Sequence, residues 1–256
     1  MSDLMIRTEG LTKYYGKFRA LENLNIEVKR GEIYGFLGPN GAGKTTTFRI
    51  IAGLLRPSSG KASIDGHDIV TDGGRAKAVM GYIPDRPFIY DKLTGREFLR
   101  FIAGLFGMER NEVENRIDQL LDLFELSDWG GELTESYSHG MKQRLVMCSA
   151  LLHAPKVIVV DEPMVGLDPK GAKLVKRIFR KMANEGLTIF MSTHTLEVAE
   201  SMCDRIGIIM DGQISASGTM EDLRAFSHSK GDHLEPIFLK LTGGTDVEDL
   251  VNALKL

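Results

Sequence analysis

An α/β fold with a mostly parallel sheet is the class this sequence predicts, and three observations predict it. Short extended runs fill the first third of the chain, helical periodicity takes over from about residue 86, and after Pro155 buried strands alternate with helices. Length and composition agree. The 256 residues, 43% apolar and 26% charged, suffice for a sizeable core and exclude disorder, collagen and disulfide scaffolds.

Leu24, Ile26 and Val28 alternate on one face of an extended run, and Ile33 to Leu37 reads as a buried strand. A glycine-rich turn follows, then a helix over Gly43 to Ala52. Asp65-Gly66 between alternating apolar residues, within Ala62 to Ile69, is a type I′ hairpin signal because both positions favour positive φ. Phe98, Phe101, Ile102, Leu105 and Phe106 are spaced as one helical face, with Thr94 and Glu97 as its capping box. Val113, Ile117, Leu120, Leu121 and Phe124 supply the stripe of a second helix, and Ser138 caps a third that carries Leu145, Cys148 and Leu152. Residues 86–153 therefore read as a helical insertion. Val157 to Val160, Thr188 to Ser192 and Ile206 to Met210 are the returning strands, and their alternation with helices implies parallel pairing. Residues 219–256 read as an accessory segment in which Pro236 interrupts a helical pattern.

Charge and apolar patterning argue against several function classes. A net charge of −3 provides no global field toward nucleic acid or anionic lipid. The apolar runs are far shorter than the roughly 20 residues of a membrane-crossing helix. Met1 to Arg7 carries Asp3 and lacks an apolar run of export-signal length, so a cytosolic location is expected. Cys148 and Cys203 suit a reducing compartment and read as small buried hydrophobes.

Gly38-Pro39-Asn40-Gly41-Ala42-Gly43-Lys44-Thr45-Thr46 contains G-x-x-x-x-G-K-[ST] between an expected strand and an expected helix. Gly38, Gly41 and Gly43 allow backbone amides to converge on phosphate oxygens without a Cβ in the way, and the helix aims its positive end at the same anion. Lys44 is expected to reach the β and γ phosphates, Thr45 to give its hydroxyl to Mg²⁺, and Thr46 to contact the α phosphate. This is a triphosphate cradle. Val157 to Val160 runs into Asp161-Glu162-Pro163, which places Asp161 at the carboxyl edge of the sheet as an outer partner of Mg²⁺. Glu162 beside it is placed to polarise a water for in-line attack, a task worth roughly 10²- to 10⁴-fold. His194 follows another apolar strand to the same edge, within hydrogen-bonding reach of the γ phosphate.

The order of the phosphate loop, Ser138-His139-Gly140-Met141-Lys142-Gln143, Asp161-Glu162-Pro163, Gly166-Leu167-Asp168 and Ser192-Thr193-His194 resembles the nucleotide-binding subunit of ATP-binding cassette (ABC) transporters over about residues 5–220. The resemblance implies a P-loop NTPase core over 1–85 and 154–218 with an N-terminal antiparallel β subdomain, and an inserted α-helical signature subdomain over 86–153. It implies two cassettes paired head to tail around two Mg²⁺-ATP, and a separate integral-membrane subunit as the second partner. The chain would then sit in the cytoplasm against the inner face of the cell membrane. By the same resemblance Tyr15 stacks on adenine, Ser138 and Gly140 meet the γ phosphate of the other subunit, and Asp168 links the two sites. The charged face Lys173, Lys176, Arg177, Arg180 and Lys181 reads as a solvated helix surface. Leu234 to Thr242 resembles the ending of cassettes that serve bacterial exporters.

Two positions depart from the family pattern. Asp85 stands where a glutamine is usual: either it joins Mg²⁺ through water as a sensor toward the membrane partner, or it is a turn residue between Pro84 and Pro87. His139 replaces the first signature glycine, and its side chain either crowds the phosphate or supplies a protonatable donor. Phe88, Tyr90 and Leu93 lie where the family receives a short helix of the membrane subunit; core packing is the competing reading. Two rival functions stay open: a soluble ABC ATPase of translation or DNA repair, and a poorly hydrolysing regulatory cassette. The first lacks the expected tandem cassettes or long coiled coil, while the departures at Asp85 and His139 keep the second conceivable.

Overall fold

The structure, a computed structural model, describes residues 3–227 and 233–242 of the chain. Strands β1 (Leu4–Tyr15), β2 (Phe18–Lys29), β4 (Ser59–Ile64) and β5 (His67–Asp68) form an antiparallel sheet in the order β2-β1-β4-β5. Leu24, Ile26 and Val28 are buried on one face of β2 while their neighbours are exposed, as the alternation requires. Asp65 and Gly66 turn β4 into β5 at φ 48° and 81°.

The second sheet has the order β10-β9-β3-β8-β7-β6. Its parallel part comprises β3 (Ile33–Leu37), β6 (Met80–Ile83), β7 (Val157–Asp161), β8 (Thr188–Ser192) and β9 (Arg205–Met210), and β10 (Gln213–Gly218) closes it antiparallel to β9. β3, β7 and β8 are buried at every position, which explains their unbroken apolar runs: both faces are covered. Helix α1 (Lys44–Ile51) packs Phe48 on Phe190 of β8 with ring centroids 4.7 Å apart, and Phe36 of β3 joins the cluster at 5.5 Å from Phe190. This aromatic seam aims the start of α1 at the carboxyl ends of β3, β7 and β8.

Helix α2 (Gly73–Ala78) leads into β6. Helices α3 (Gly95–Leu105), α4 (Arg110–Leu123) and α5 (His139–Leu151) follow, sharing one apolar cluster with Ile158, Val160 and Ile189 of the sheet. The capping box forms, with Glu97 N donating to Thr94 Oγ1 at 3.2 Å and Thr94 N to Glu97 Oε2 at 2.8 Å. The buried face of α3 differs from the expected one. Phe98, Leu99 and Ala103 turn inward, whereas Phe101 and Leu105 are 43% and 69% exposed. Packing against α4 and α5 rotates the stripe by about one position, a choice that helical spacing alone leaves undetermined.

Helices α6 (Pro169–Asn184) and α7 (Leu196–Met202) connect the last parallel strands. The cationic face of α6 is partly engaged: Arg180 pairs with Asp204 at 2.8 Å and Lys176 bonds Ser201 at 3.0 Å. Helices α8 (Met220–Ser227) and α9 (Leu234–Thr242) follow β10, and Leu223, Leu234 and Ile237 pack on Ile206 and Ile208 of β9. Pro236 lies in the first turn of α9 and does not break it, because the amide it lacks has no partner within the helix there. The rest of the expected accessory segment, 228–232 and 243–256, lies outside the described residues. Cys148 is buried, Cys203 half-buried, and both are free thiols.

Candidate nucleotide site

The carboxyl ends of β3, β6, β7 and β8 deliver their following loops to one edge of the sheet. After β3 the chain enters the loop 38–43. Gly41 and Gly43 adopt φ of 84° and 108°, and a Cβ on Gly43 would lie 2.6 Å from Leu21 Cδ2 and 2.7 Å from the Ala20 carbonyl, so glycine is required there on both counts. Gly43 is the N-cap of α1, leaving the first-turn amides directed outward. Lys44 folds back over the loop, with Nζ donating to the carbonyls of Gly38 at 2.5 Å and Pro39 at 3.0 Å.

A pocket of about 390 Å³ opens in front of this loop. Asn40, Gly41, Gly43, Lys44, Thr45 and Thr46 form one wall. Asp85, Asp161 and Glu162 form another, and Tyr15, Phe18 and Ala20 close the far end. Gly38, Pro39 and Ala42 shape the loop from behind without lining the pocket.

The acidic wall has ordered electrostatics. Asp161 is buried, and desolvation pushes its carboxyl above the usual range; the Ser192 hydroxyl, which donates to Asp161 Oδ1, and the Lys44 charge oppose that rise. Burial lowers Lys44 against the pull of Glu162 and Asp161. The Glu162 backbone sits at φ 54°, in the left-handed region that non-glycine residues seldom occupy, and its N–H donates to Ser192 Oγ at 3.0 Å. Its carboxylate Oε1 lies 2.9 Å from Nδ1 of His194. Thus the end of β7 and the residue after it supply the acids, and the end of β8 and the loop after it supply the hydroxyl and the imidazole that hold them.

Three carboxylates face one lysine, an imbalance that a cation would correct. Thr45, Asp161 and Asp85 present a hydroxyl and two carboxylates, hard oxygen donors of the kind Mg²⁺ takes together with water and phosphate. Among the described residues no three His, Cys, Asp or Glu side chains form a metal cage of their own.

The remaining expected residues lie elsewhere in this chain. Ser138 caps α5, accepting from Met141 N at 3.3 Å, and is outside the pocket. Gly140 lies against the Gly166 carbonyl, which a Cβ would approach to 3.0 Å. Asp168 caps α6, accepting from Gly171 N at 2.8 Å, and likewise does not line the pocket. The His139 ring covers Gly166 so closely that a Cβ there would fall 1.8 Å from its Cδ2. Of the two adjacent tyrosines, Tyr15 reaches the pocket and Tyr14 does not.

Phe18 went unread in the sequence. It pairs directly with Tyr15 across β1 and β2, so both rings project from one face of the hairpin, and an aromatic 64% exposed is the signal that could have found it. Ser192, in sequence a strand end and the first residue of the Ser192-Thr193-His194 motif, bridges Asp161 and Glu162.

Comparison with known proteins places this geometry. The ABC transporter family matches residues 21–165, from the middle of β2 through the phosphate loop, the helical region and the acids after β7. The chain belongs to the ABC transporter family. Over 249 residues it is 36% identical to the "Probable multidrug ABC transporter ATP-binding protein YbhF" of Escherichia coli (strain K12), a match covering 96% of this chain and 43% of that protein. The chain thus spans less than half the length of that relative. A solved "Structure of ATP binding subunit of ABC transporter" superposes with a TM-score of 0.88 at 33% identity, covering 93% of this chain and 99% of the other. The "ATP-binding cassette MJ0796 bound to ADP and Pi", described as a dimeric post-hydrolysis state, superposes at 0.76 with 26% identity over 84% of this chain and 98% of its own. The fold and the phosphate loop are those of an ABC ATP-binding cassette.

Proposed function

We propose that this chain binds and hydrolyses Mg²⁺-ATP as the motor subunit of an ABC transporter, pairing with a second cassette and driving a separate membrane-spanning subunit. One observation carries the reading: the Glu162 carboxylate just past β7, 2.9 Å from His194 Nδ1, shares a pocket with Lys44 and Thr45. Lys44 and the amides of the loop and α1 neutralise the phosphates. Tyr15, with Phe18 beside it, offers the base an aromatic face. Thr45, Asp161 and Asp85 would hold Mg²⁺, which supplies charge neutralisation at the transferring phosphoryl group. Glu162 accepts a proton from the attacking water, and His194 fixes that carboxylate and offers its other nitrogen toward the γ phosphate.

The position of Ser138 outside its own chain's pocket supports a two-copy site. Its hydroxyl and the start of the 13-residue α5 are free to meet a nucleotide held by another cassette, with Gly140 allowing close approach and Asp168 beside them. MJ0796 was solved as a dimer, which supports the same arrangement. A transport role pairs the cassette with a membrane-embedded subunit at the inner face; among the described residues no helix is long and apolar enough to cross a membrane. Phe88 and Tyr90 are exposed and in edge contact at 5.8 Å, with Phe101 against Tyr90 at 5.4 Å, forming an apolar ladder next to Asp85 for that subunit; Leu93 instead packs on the core. The multidrug description of YbhF supports export as the direction.

The deciding experiment is Glu162→Gln. ATP binding is expected to persist while steady-state hydrolysis falls by about 10²- to 10⁴-fold and a nucleotide-bound dimer accumulates. Undiminished turnover would remove Glu162 as the base.

A further inference from the structure

At the amino ends of β7 and β8, the opposite end from the nucleotide pocket, lies a cleft of about 430 Å³. Its floor is apolar, built from Leu151, Pro155, Met182 and Leu187, and its rim carries Arg30, Arg116, Lys156 and the single acid Glu185. The wall on one side comes from α4 and the end of α5, and on the other from the end of α6 and the start of β7 and β8.

The three cations are not equivalent. Lys156 and Arg30 share Asp65 as counter-ion, at 2.5 and 3.7 Å, and Glu185 answers Lys181 at 3.9 Å. Arg116 has no such partner. Its Nη2 donates to the Leu151 carbonyl at 3.2 Å, its Nε is buried without a hydrogen bond, and among the described residues no carboxylate lies within ion-pair distance. A guanidinium carries five N–H donors in a planar fork suited to a carboxylate, and one carbonyl leaves most of them unused. A half-buried cation that meets only the carbonyl ending α5 and, among the described residues, no carboxylate within ion-pair distance, beside an apolar floor, matches a ligand that is anionic at one end and apolar at the other.

We propose that this cleft binds a small amphipathic carboxylate, its head on Arg116 and its body over Leu151, Met182 and Leu187. The site is separate from the nucleotide pocket and does not depend on the transporter reading. The nucleotide residues leave from the other end of the same strands.

The test is calorimetric titration of the full chain with octanoate, with octanol and acetate as probes of body and charge alone. Octanoate is expected to bind saturably, octanol and acetate at least about tenfold more weakly, and Arg116→Gln to weaken octanoate by about tenfold while ATP affinity stays unchanged. Absence of saturable octanoate binding, equal binding of octanol, or unaltered octanoate affinity in Arg116→Gln would each overturn the proposal. Should Arg116→Gln fail to fold, methyl-labelled methionine spectra of the unmodified chain decide. The Met182 signal, assigned with Met182→Leu, shifts on adding octanoate if the cleft is occupied; a signal that stays put refutes the site.

Discussion

His194 Nδ1 lies 2.9 Å from Glu162 Oε1, joining the loop after β8 to the acid that ends β7. The Glu162 backbone is held at φ 54° by the same neighbour strand, whose Ser192 hydroxyl accepts its N–H at 3.0 Å. Two contacts from one strand end therefore aim a carboxylate that the backbone alone would not favour. His194→Ala is expected to lower kcat by about 10- to 100-fold, since the base keeps its chemistry but loses its orientation, and the γ phosphate loses a hydrogen-bond partner. Phosphate-release kinetics should show a smaller loss than Glu162→Gln and little change in ATP affinity. Equal losses in the two variants would contradict the assignment of Glu162 as the base and His194 as its support.

Lys44 is the cation that faces the acidic wall, and its role is in binding. Burial lowers its pKa, but Asp161 and Glu162 act in the opposite sense. Lys44→Ala removes the charge opposite the phosphates, so ATP affinity measured by calorimetry is expected to fall by about tenfold or more.

Asp161 illustrates a site residue that costs stability. Its carboxyl pKa is raised in the folded chain, so the folded state holds its proton to higher pH than the unfolded chain does. The unfolded state then binds fewer protons, and this group's contribution to stability declines as pH rises from the ordinary aspartate range through the raised folded value. Asp161→Asn keeps an acceptor for the Ser192 hydroxyl and removes the charge. The nucleotide-free variant is expected to melt about 2 °C or more higher at neutral pH, with the difference vanishing in acid, while hydrolysis is lost. A lower melting temperature at neutral pH would contradict the assignment of desolvation as the dominant influence.

Gly166 combines φ 78° with the His139 ring lying against it. Gly166→Ala is expected to destabilise the chain by about 1–3 kcal/mol through backbone strain and the clash together, as read by denaturant unfolding. Adding His139→Gly should restore only the part due to the clash, because the backbone conformation stays unfavourable for alanine.

Local signals made much of the fold readable. The phosphate loop, the Thr94 capping box, the Asp65-Gly66 turn and the buried runs of β3, β7 and β8 depend on residues near one another in sequence, and each appears where its chemistry predicts. The buried face of α3 is not legible in sequence because Phe101 and Phe98 satisfy helical spacing equally, and only packing against α4 and α5 selects between them. Pro236 was misjudged because a proline's effect depends on its distance from the helix start, which α9 settles.

By itself the sequence determined the family, the order of the elements and the identities of the phosphate, acid and histidine groups, because those follow from residue type, spacing and chain direction. Only the tertiary structure decided that Ser192 and His194 both reach the acids at the end of β7, that Phe18 stands beside Tyr15, that Ser138 lies outside its own chain's pocket, and that Arg116, at the far end of the sheet, has no carboxylate within ion-pair distance among the described residues. These are pairings between segments distant in the chain. Their register is set by how strands stack and helices pack, which no local pattern encodes.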